Sequence, residues 1–529
     1  MKMIPGSRIH HYLKRLGIFL ITVALVVGMA GCDGGCGTAS PLQYILTIFS
    51  TEGGHVIISG EGPYDEGTEV TLEAVADECY EFVNWVGDTV ADPNSAITTI
   101  TMDETKSVTA NFALLSYDLT AASMDGGEVT TPSEGTFTYD CGTVVDLVAT
   151  VDAYYGFVEW TGDVDTIADV YAASTTITMN GDYSITANFG LFAGGNGTAE
   201  NPYRIADWWH LDNVRNYLSS HFIVINDLDS NSVGYTELAS ATANEGNGWQ
   251  PIGTIAVNDA FVGSFDGQGY EICDVFIDRP DESDVGLFGV IEEGGVIENF
   301  GVVVSGNVTG QSNVGGLVGK NEGSVSNSYS IGSVTGNLNV GGLVGWNFGG
   351  TVTVTYSSGS VTGQSNVGGL VGWSTGTLSN SYSTGSVTGN SSVGGLTGKN
   401  GGTASNSYAT GSVTGNDNVG GLLGKNDKTG SVSDSYSTGS VTANTNVGGL
   451  LGKNQGTVSN SFWDTQTSGQ GSSDGGTGKP TEEMMDFDTF DDVGWDITTV
   501  ANPSTRNPAY IWNIVYDETY PFLSWQSVV

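Results

Sequence analysis

The tetrad Val314-Gly315-Gly316-Leu317 returns at Val340, Val367, Val393, Val419 and Val447, in steps of 26, 27, 26, 26 and 28 residues. So strict a period constrains the fold more than any other feature of the chain. A unit of that length cannot bury its own apolar face, so it must stack on its neighbours and share one continuous core with them.

Between the tetrads runs a second phrase, clearest as Ser379-Asn380-Ser381-Tyr382-Ser383-Thr384-Gly385-Ser386-Val387-Thr388-Gly389. Strand-length pieces are broken by Gly, Asn and Ser, no helical period appears, and no proline lies between residues 281 and 479. This pattern predicts an all-β chain whose repeats are coils of about 26 residues in a parallel β-helix, or solenoid. The phrase Val-Gly-Gly-Leu-x-Gly-x-Asn with its Ser-Tyr partner resembles the GLUG motif over about residues 285–465, beginning with the degenerate copy Val285-Gly286-Leu287-Phe288. That family is found in bacterial surface and adhesin-like proteins and in some secreted peptidases.

If one repeat is one coil, equivalent residues form columns about 4.8 Å apart. Val371, Leu378 and Val387, with their equivalents, are expected to point inward. Tyr329, Tyr356, Tyr382, Tyr408, Tyr436 and Phe462 share one position and predict an aromatic ladder. Asn327, Asn380, Asn406 and Asn460 form another column, interrupted by Val354 and Asp434, of the residue type that satisfies turn backbone. A third reads Lys320, Trp346, Trp373, Lys399, Lys425 and Lys453 and looks exposed. In it Trp346 and Trp373 are candidate glycan contacts, against the plainer reading that they cover a turn.

Ahead of the coils lies a second repeat family. Gly53-Gly54, Trp85 and Asn111-Phe112 recur as Gly126-Gly127, Trp160 and Asn188-Phe189, at offsets of 73, 75 and 77. The alternation in Thr68–Ala74 and Ser107–Phe112 is that of half-buried strands. Tyr80–Trp85 and Gly156–Asp163 resemble the divergent internalin B-repeat modules of bacterial surface proteins, which implies two small β spacers at 43–114 and 115–190. Trp85 and Trp160 are expected in their cores. Residues 191–284 then read as an N-terminal cap and first coils, with a helix over Asp207–Leu218, and 466–529 as a C-terminal cap. There Thr481 is the expected N-cap of a short helix, and Trp495, Trp512, Tyr520, Phe522 and Trp525 a terminal plug.

The first residues carry an address. Lys2, Arg8, Lys14 and Arg15 precede an apolar run, Leu16 to Val27, that stops at Met29-Ala30-Gly31-Cys32. About 12 residues cannot span a bilayer, which takes roughly 20, so residues 1–31 read as a signal peptide. The small residues before Cys32 resemble a bacterial lipobox, which implies that Cys32 is lipidated and becomes the mature N-terminus, with 32–42 as linker. No second apolar stretch reaches membrane length, so the lipid is the expected anchor to the bacterial membrane, with the rest probing outward at the cell surface.

Chemistry is sparse. A net charge of −44, from 59 acidic and 15 basic residues, excludes nucleic acid as a natural partner. All five histidines lie at or before His221, and no arginine occurs between Arg279 and Arg506. From Val314 to Asn460 the acids are Glu322, Asp417, Asp427 and Asp434, at no shared coil position. The acid clusters or paired aspartates of pectin-lyase-type enzymes are therefore missing, and no zinc motif of the form HExxH occurs. Asp227, Asp229 and Asn231 alternate as calcium ligands would, but Ser232 replaces the glycine of an EF-hand loop. No catalytic residue, metal or cofactor is expected. Cys36, Cys79, Cys141 and Cys273 leave their pairing open. Two classes follow: a lipid-anchored structural or adhesin-like surface protein with a surface glycan or protein as ligand, and, as the alternative, a secreted polysaccharide-active enzyme.

Overall fold

The computed structural model describes residues 42–152, 155–256 and 259–526. Cys32 and the apolar run before it lie outside them. The described chain is all-β, two small modules followed by a parallel solenoid of about 7 coils of roughly 27 residues.

In the first module, Leu46–Ser50 pairs with Lys106–Leu114, which pairs with Tyr80–Gly87. Gly54–Ile58, Thr68–Ala76 and Ile97–Met102 form a second three-stranded sheet. The alternation read in Thr68–Ala74 places Val70 and Leu72 wholly inside, against Trp85, Ile100 and Val108. The second module repeats this with sheets of four and three strands, and Trp160 is buried as Trp85 is. Each indole nitrogen donates to a carbonyl of the same module, Ser95 for Trp85 and Ala172 for Trp160. A disulfide joins Cys79 to Cys141 with Cα atoms 5.4 Å apart, an ordinary spacing for such a bond. The backbone of Leu115 threads between them, donating to the Cys79 carbonyl and accepting from the Cys141 amide.

In the solenoid each repeat contributes a set of short strands, for example Ser365–Gly368, Val371–Ser374, Thr377–Ser379, Tyr382–Ser383 and Val387–Thr388. Pairing between coils is parallel and in register, so that Val367 faces Val393, Leu378 faces Ala404 and Tyr382 faces Tyr408. Identical phrases stack because a shift of one residue would turn every inward side chain out. Val371, Leu378 and Val387 lie inside, within one core that runs from Phe192 to Trp463. The ten-stranded sheet starts at Tyr203–Ile205, so the segment before the tetrads already winds as coils.

The tetrad glycines are dictated by this stacking. A methyl group at residue 368 would overlap the Val371 carbonyl oxygen and come within 2.6 Å of the Gly398 amide nitrogen in the next coil. Only a residue without Cβ lets the backbones approach so closely.

Three expectations require correction. The helix is Trp208–Asn213, with a 3₁₀ turn over Val214–Asn216, and Asp207 caps it by accepting the His210 amide at 2.9 Å. Thr481 is not an N-cap. Pro480 occupies that place, and Thr481 begins a four-residue helix, its hydroxyl donating to Asp464 at 2.7 Å. Nor do Trp495, Trp512 and Trp525 plug the end of the core. The solenoid end is closed by Thr477–Lys479 pairing with Phe462–Asp464, and the later residues run back along one flank.

Candidate functional site

That flank holds the aromatic column. Ring centroids are 4.7 Å apart for Tyr329 and Tyr356, and 5.0 Å for each step from Tyr356 to Tyr382, Tyr408 and Tyr436, with planes within 11° of parallel. Phe462 continues the register opposite Tyr436. The rings point away from the coil interior. In each short strand the next residue, Ser357, Ser383, Ala409 or Ser437, takes the inward place and is buried under the tetrad backbone, with Ser437 donating to the Gly449 carbonyl at 2.8 Å. Tyr408 and Tyr436, with Tyr382 packed against them, form instead a second apolar cluster with Met484, Phe490, Trp495, Trp512 and Leu523 of the C-terminal segment.

Coverage is graded along the column. Tyr408 and Tyr436 are 6% and 2% exposed, whereas Tyr329, Tyr356 and Tyr382 are half-buried. The covering segment is tied down by polar contacts at several levels. Trp495 donates to the Asn460 carbonyl at 2.8 Å, Gln526 to the Tyr408 hydroxyl at 2.6 Å, and Trp525 to the Asn380 carbonyl at 3.1 Å. Burial pushes the Tyr356 phenol up to about 12. Tyr329 is raised further, by burial first and then by its hydrogen bond to Glu271. Past the covered stretch, Tyr329, Tyr356 and Trp525 open on a cavity of about 390 Å³.

Trp346 and Trp373 stack on each other at 5.0 Å and 6°. Their outer faces are taken as well: the Lys320 ammonium lies 5.2 Å from the Trp346 ring centre and Lys399 lies 4.3 Å from that of Trp373. Phe348 packs edge-on against Trp346. The pair is a closed cation–π sandwich rather than an open stacking platform. Lys320 pairs with Glu322 at 2.6 Å, and Asp427 bridges Lys399 and Lys425 at 3.0 and 2.8 Å.

The column of Asn327, Val354, Asn380, Asn406, Asp434 and Asn460 is a left-handed turn, with φ between 42° and 56° at every member. Two further columns were missed. Asp284, Asn313, Asn339, Asn366, Ser392, Asn418 and Asn446 form a second left-handed column, with Asn339 donating to Asn313 at 2.7 Å and Asn366 to Asn339 at 2.8 Å. Asn321, Asn347, Asn400 and Asn426 lie buried in a third, where Asn321 donates to Asn347 and Asn400 to Asn426, each at 2.9 Å. Its signal was the Asn that ends the tetrad phrase in five of its six copies, Ser374 being the exception.

Asp227, Asp229 and Asn231 do not converge. Asp229 accepts from the Asn231 and Ser232 amides at 2.9 and 3.1 Å, and hydrogen bonds, first from Asn231, hold its carboxyl below the usual range. Asp227 instead accepts from the Glu271 amide at 2.9 Å. Among the described residues no group of three or more His, Cys, Asp or Glu is placed to hold a metal. Asp417 and Asp434, the remaining acids of the coils, accept from Thr445 and Asn460.

These features have counterparts in known proteins. A "Putative Gly-rich membrane protein" of Evansella cellulosilytica is 40% identical over 157 residues, which is 28% of this chain and 16% of that protein. "Halomucin" of Haloquadratum walsbyi is 30% identical over 208 residues, 39% of this chain and 2% of that protein. This chain therefore spans a minor part of the length of either. A solved structure described as a "putative immunoglobulin A1 protease from Bacteroides ovatus" aligns with a TM-score of 0.38 at 21% identity, over 64% of this chain and 96% of the other, a likeness too low to carry argument. Residues 44–116 and 117–191 match the Divergent InlB B-repeat domain, and 310–335, 363–388 and 415–442 match the GLUG motif. The chain thus carries two divergent InlB B-repeat domains in tandem, followed by a β-solenoid of GLUG-motif coils.

Proposed function

We propose that this chain is an exported structural or adhesin-like protein of the bacterial cell surface, anchored through a lipid on Cys32. The B-repeat modules, 43–190, are its stalk and the solenoid, 191–529, is the surface it presents. The observation that carries the reading is the Cys79–Cys141 disulfide, because such bonds persist in oxidising compartments outside the cytoplasm. The string Met29 to Cys32 supports the same address, as do the names of the two relatives, a membrane protein and a halomucin. Among the described residues no helix is long and apolar enough to cross a membrane.

The role is non-catalytic. In support of that reading, Glu322, Asp417, Asp427 and Asp434, the carboxylates from Val314 to Asn460, are each engaged by a lysine, an amide or a hydroxyl. Mass spectrometry of the mature N-terminus, with fractionation of Cys32→Ser and protease shaving of intact cells, tests the anchor and the exposure together. The expected result is a diacylglyceryl-modified Cys32, release of the variant from the membrane, and loss of the intact chain on shaving. An unmodified N-terminus with unchanged membrane association refutes the anchor. Saturable turnover of pectin, alginate or a neutral polysaccharide by purified protein refutes the non-catalytic role.

A further inference from the structure

The aromatic column ends abruptly at its N-terminal side. In register with Tyr329 the preceding coil carries Gly301, where a methyl group would overlap the Tyr329 ring. The first ring of the column therefore lacks an aromatic neighbour on that side. At the other side stands Trp525 of the C-terminal segment, whose ring lies 5.6 Å from Tyr382 and 6.5 Å from Tyr356. Between these limits lies the 390 Å³ cavity, within the range of small-ligand sites.

Its lining has two characters. Glu271, Asn299 and Asn327 lie toward one end: Tyr329 donates its hydroxyl to Glu271, Asn327 donates to Asn299 at 2.6 Å, and Asn299 to Asp266 at 2.9 Å. Val354, Tyr356 and Trp525 lie toward the other, because the amide column is broken at Val354. No Lys or Arg lines the cavity. Successive coils supply Glu271, Asn299, Asn327 and Val354, so the groove runs along the stack.

We propose that this groove binds a neutral saccharide chain. A pyranose ring has an apolar C–H face and a rim of hydroxyls, and the groove offers rings and an aliphatic side chain toward one end and amides and a carboxylate toward the other. Acidic sugars are disfavoured, since their carboxylate would meet Glu271 with no cation to offset it. A compact organic cation would be attracted by Glu271 and the rings but carries no hydroxyls for the remaining hydrogen-bonding capacity of the Asn327 amide, and it serves as the competitor in the test. The proposal deepens the surface-binding reading and rests on it. It also moves the sugar contact away from Trp346 and Trp373, whose faces are closed.

The test uses the full-length chain, detergent-solubilised, on an array of neutral and acidic oligosaccharides, with tetramethylammonium chloride as a cationic competitor and calorimetry on the neutral hits. Trp525→Ala and Asn327→Gly are the groove variants; glycine suits the positive φ of residue 327 while deleting the amide. Trp373→Ala is the control, and thermal melts check folding. The expected result is binding to neutral oligosaccharides that falls at least tenfold in both groove variants and is unchanged in the control. If Trp525→Ala does not fold, the exposed Asn327 decides the matter. Three results overturn the proposal: no neutral saccharide bound at millimolar concentration, a preference for acidic sugars or displacement by tetramethylammonium, or equal loss in Trp373→Ala. The surface reading fails separately. A chain that resists shaving yet binds sugar through the groove loses only its location, and a chain shaved from cells that binds none loses only the groove.

Discussion

Val354 is a β-branched residue held at φ 56° in a column otherwise filled by Asn and Asp. For an L-residue the left-handed region costs roughly 1–2 kcal/mol, and Asn tolerates it far better because its side chain can bond locally. Val354 is only half-buried, so replacing its methyls forfeits about 0.5 kcal/mol of burial. Val354→Asn is therefore expected to stabilise the solenoid by about 1 kcal/mol. The reciprocal change, Asn406→Val, places the same strain in a neighbouring coil at φ 47° and should destabilise by about 1–2 kcal/mol. Urea unfolding of both variants, followed by circular dichroism at equal slope, gives the comparison as a shift in midpoint. On heating, the size of the unit limits the gain for Val354→Asn to about 1–2 °C. A lowered midpoint for Val354→Asn, or none for Asn406→Val, would show that turn strain does not govern this column.

Gly368→Ala is expected to misfold or to lose more than about 3 kcal/mol, since the new methyl meets backbone of the next coil that cannot move alone; wild-type melting behaviour would refute this. Tyr436→Ala should cost about 3–5 kcal/mol, whereas Tyr356→Ala, outside the covered stretch, should cost less than half as much, and equal losses in thermal melts would contradict the graded burial. Burial raises Asp207 to about 7 and lowers His210 to about 3. The folded state thus loses stability to the acid as pH rises from about 4 to 7, and to the imidazole as pH falls from about 6.5 to 3, so the two trends oppose each other. In Asp207→Asn, which retains a capping side chain, stability measured by urea midpoint should rise monotonically from pH 3 to 6.5; a flat profile there would disprove the assignment.

The coil was legible because its period is written in residues that stacking itself demands. The tetrad glycines are the points where backbones touch, and the in-register tyrosines follow from a single coil per repeat. What the sequence could not show was the direction of the tyrosines. Tyr382 and Ser383 alternate, and either could face the core by period alone; the bulk of the ring and the narrow space under the tetrad glycines decide for serine. The return of the C-terminal segment along the flank was equally hidden, because Trp495, Trp512 and Trp525 are as suitable for a plug as for a cover. Trp346 and Trp373 illustrate the same limit. Their column was readable, but only the placement of Lys320 and Lys399 shows their faces to be closed.

The fastening of the C-terminal segment bears on how the molecule yields to mechanical load. A stack of coils ordinarily frays from its last member, since that coil has one neighbour and can be peeled away bond by bond. Here Trp495, Gln526 and Trp525 are attached beside Asn460, Tyr408 and Asn380, three different levels of the stack. Tension applied near residue 526 would have to break contacts made at three levels of the stack before it reached the last coil. The strap thus shields the end where a bare solenoid is weakest.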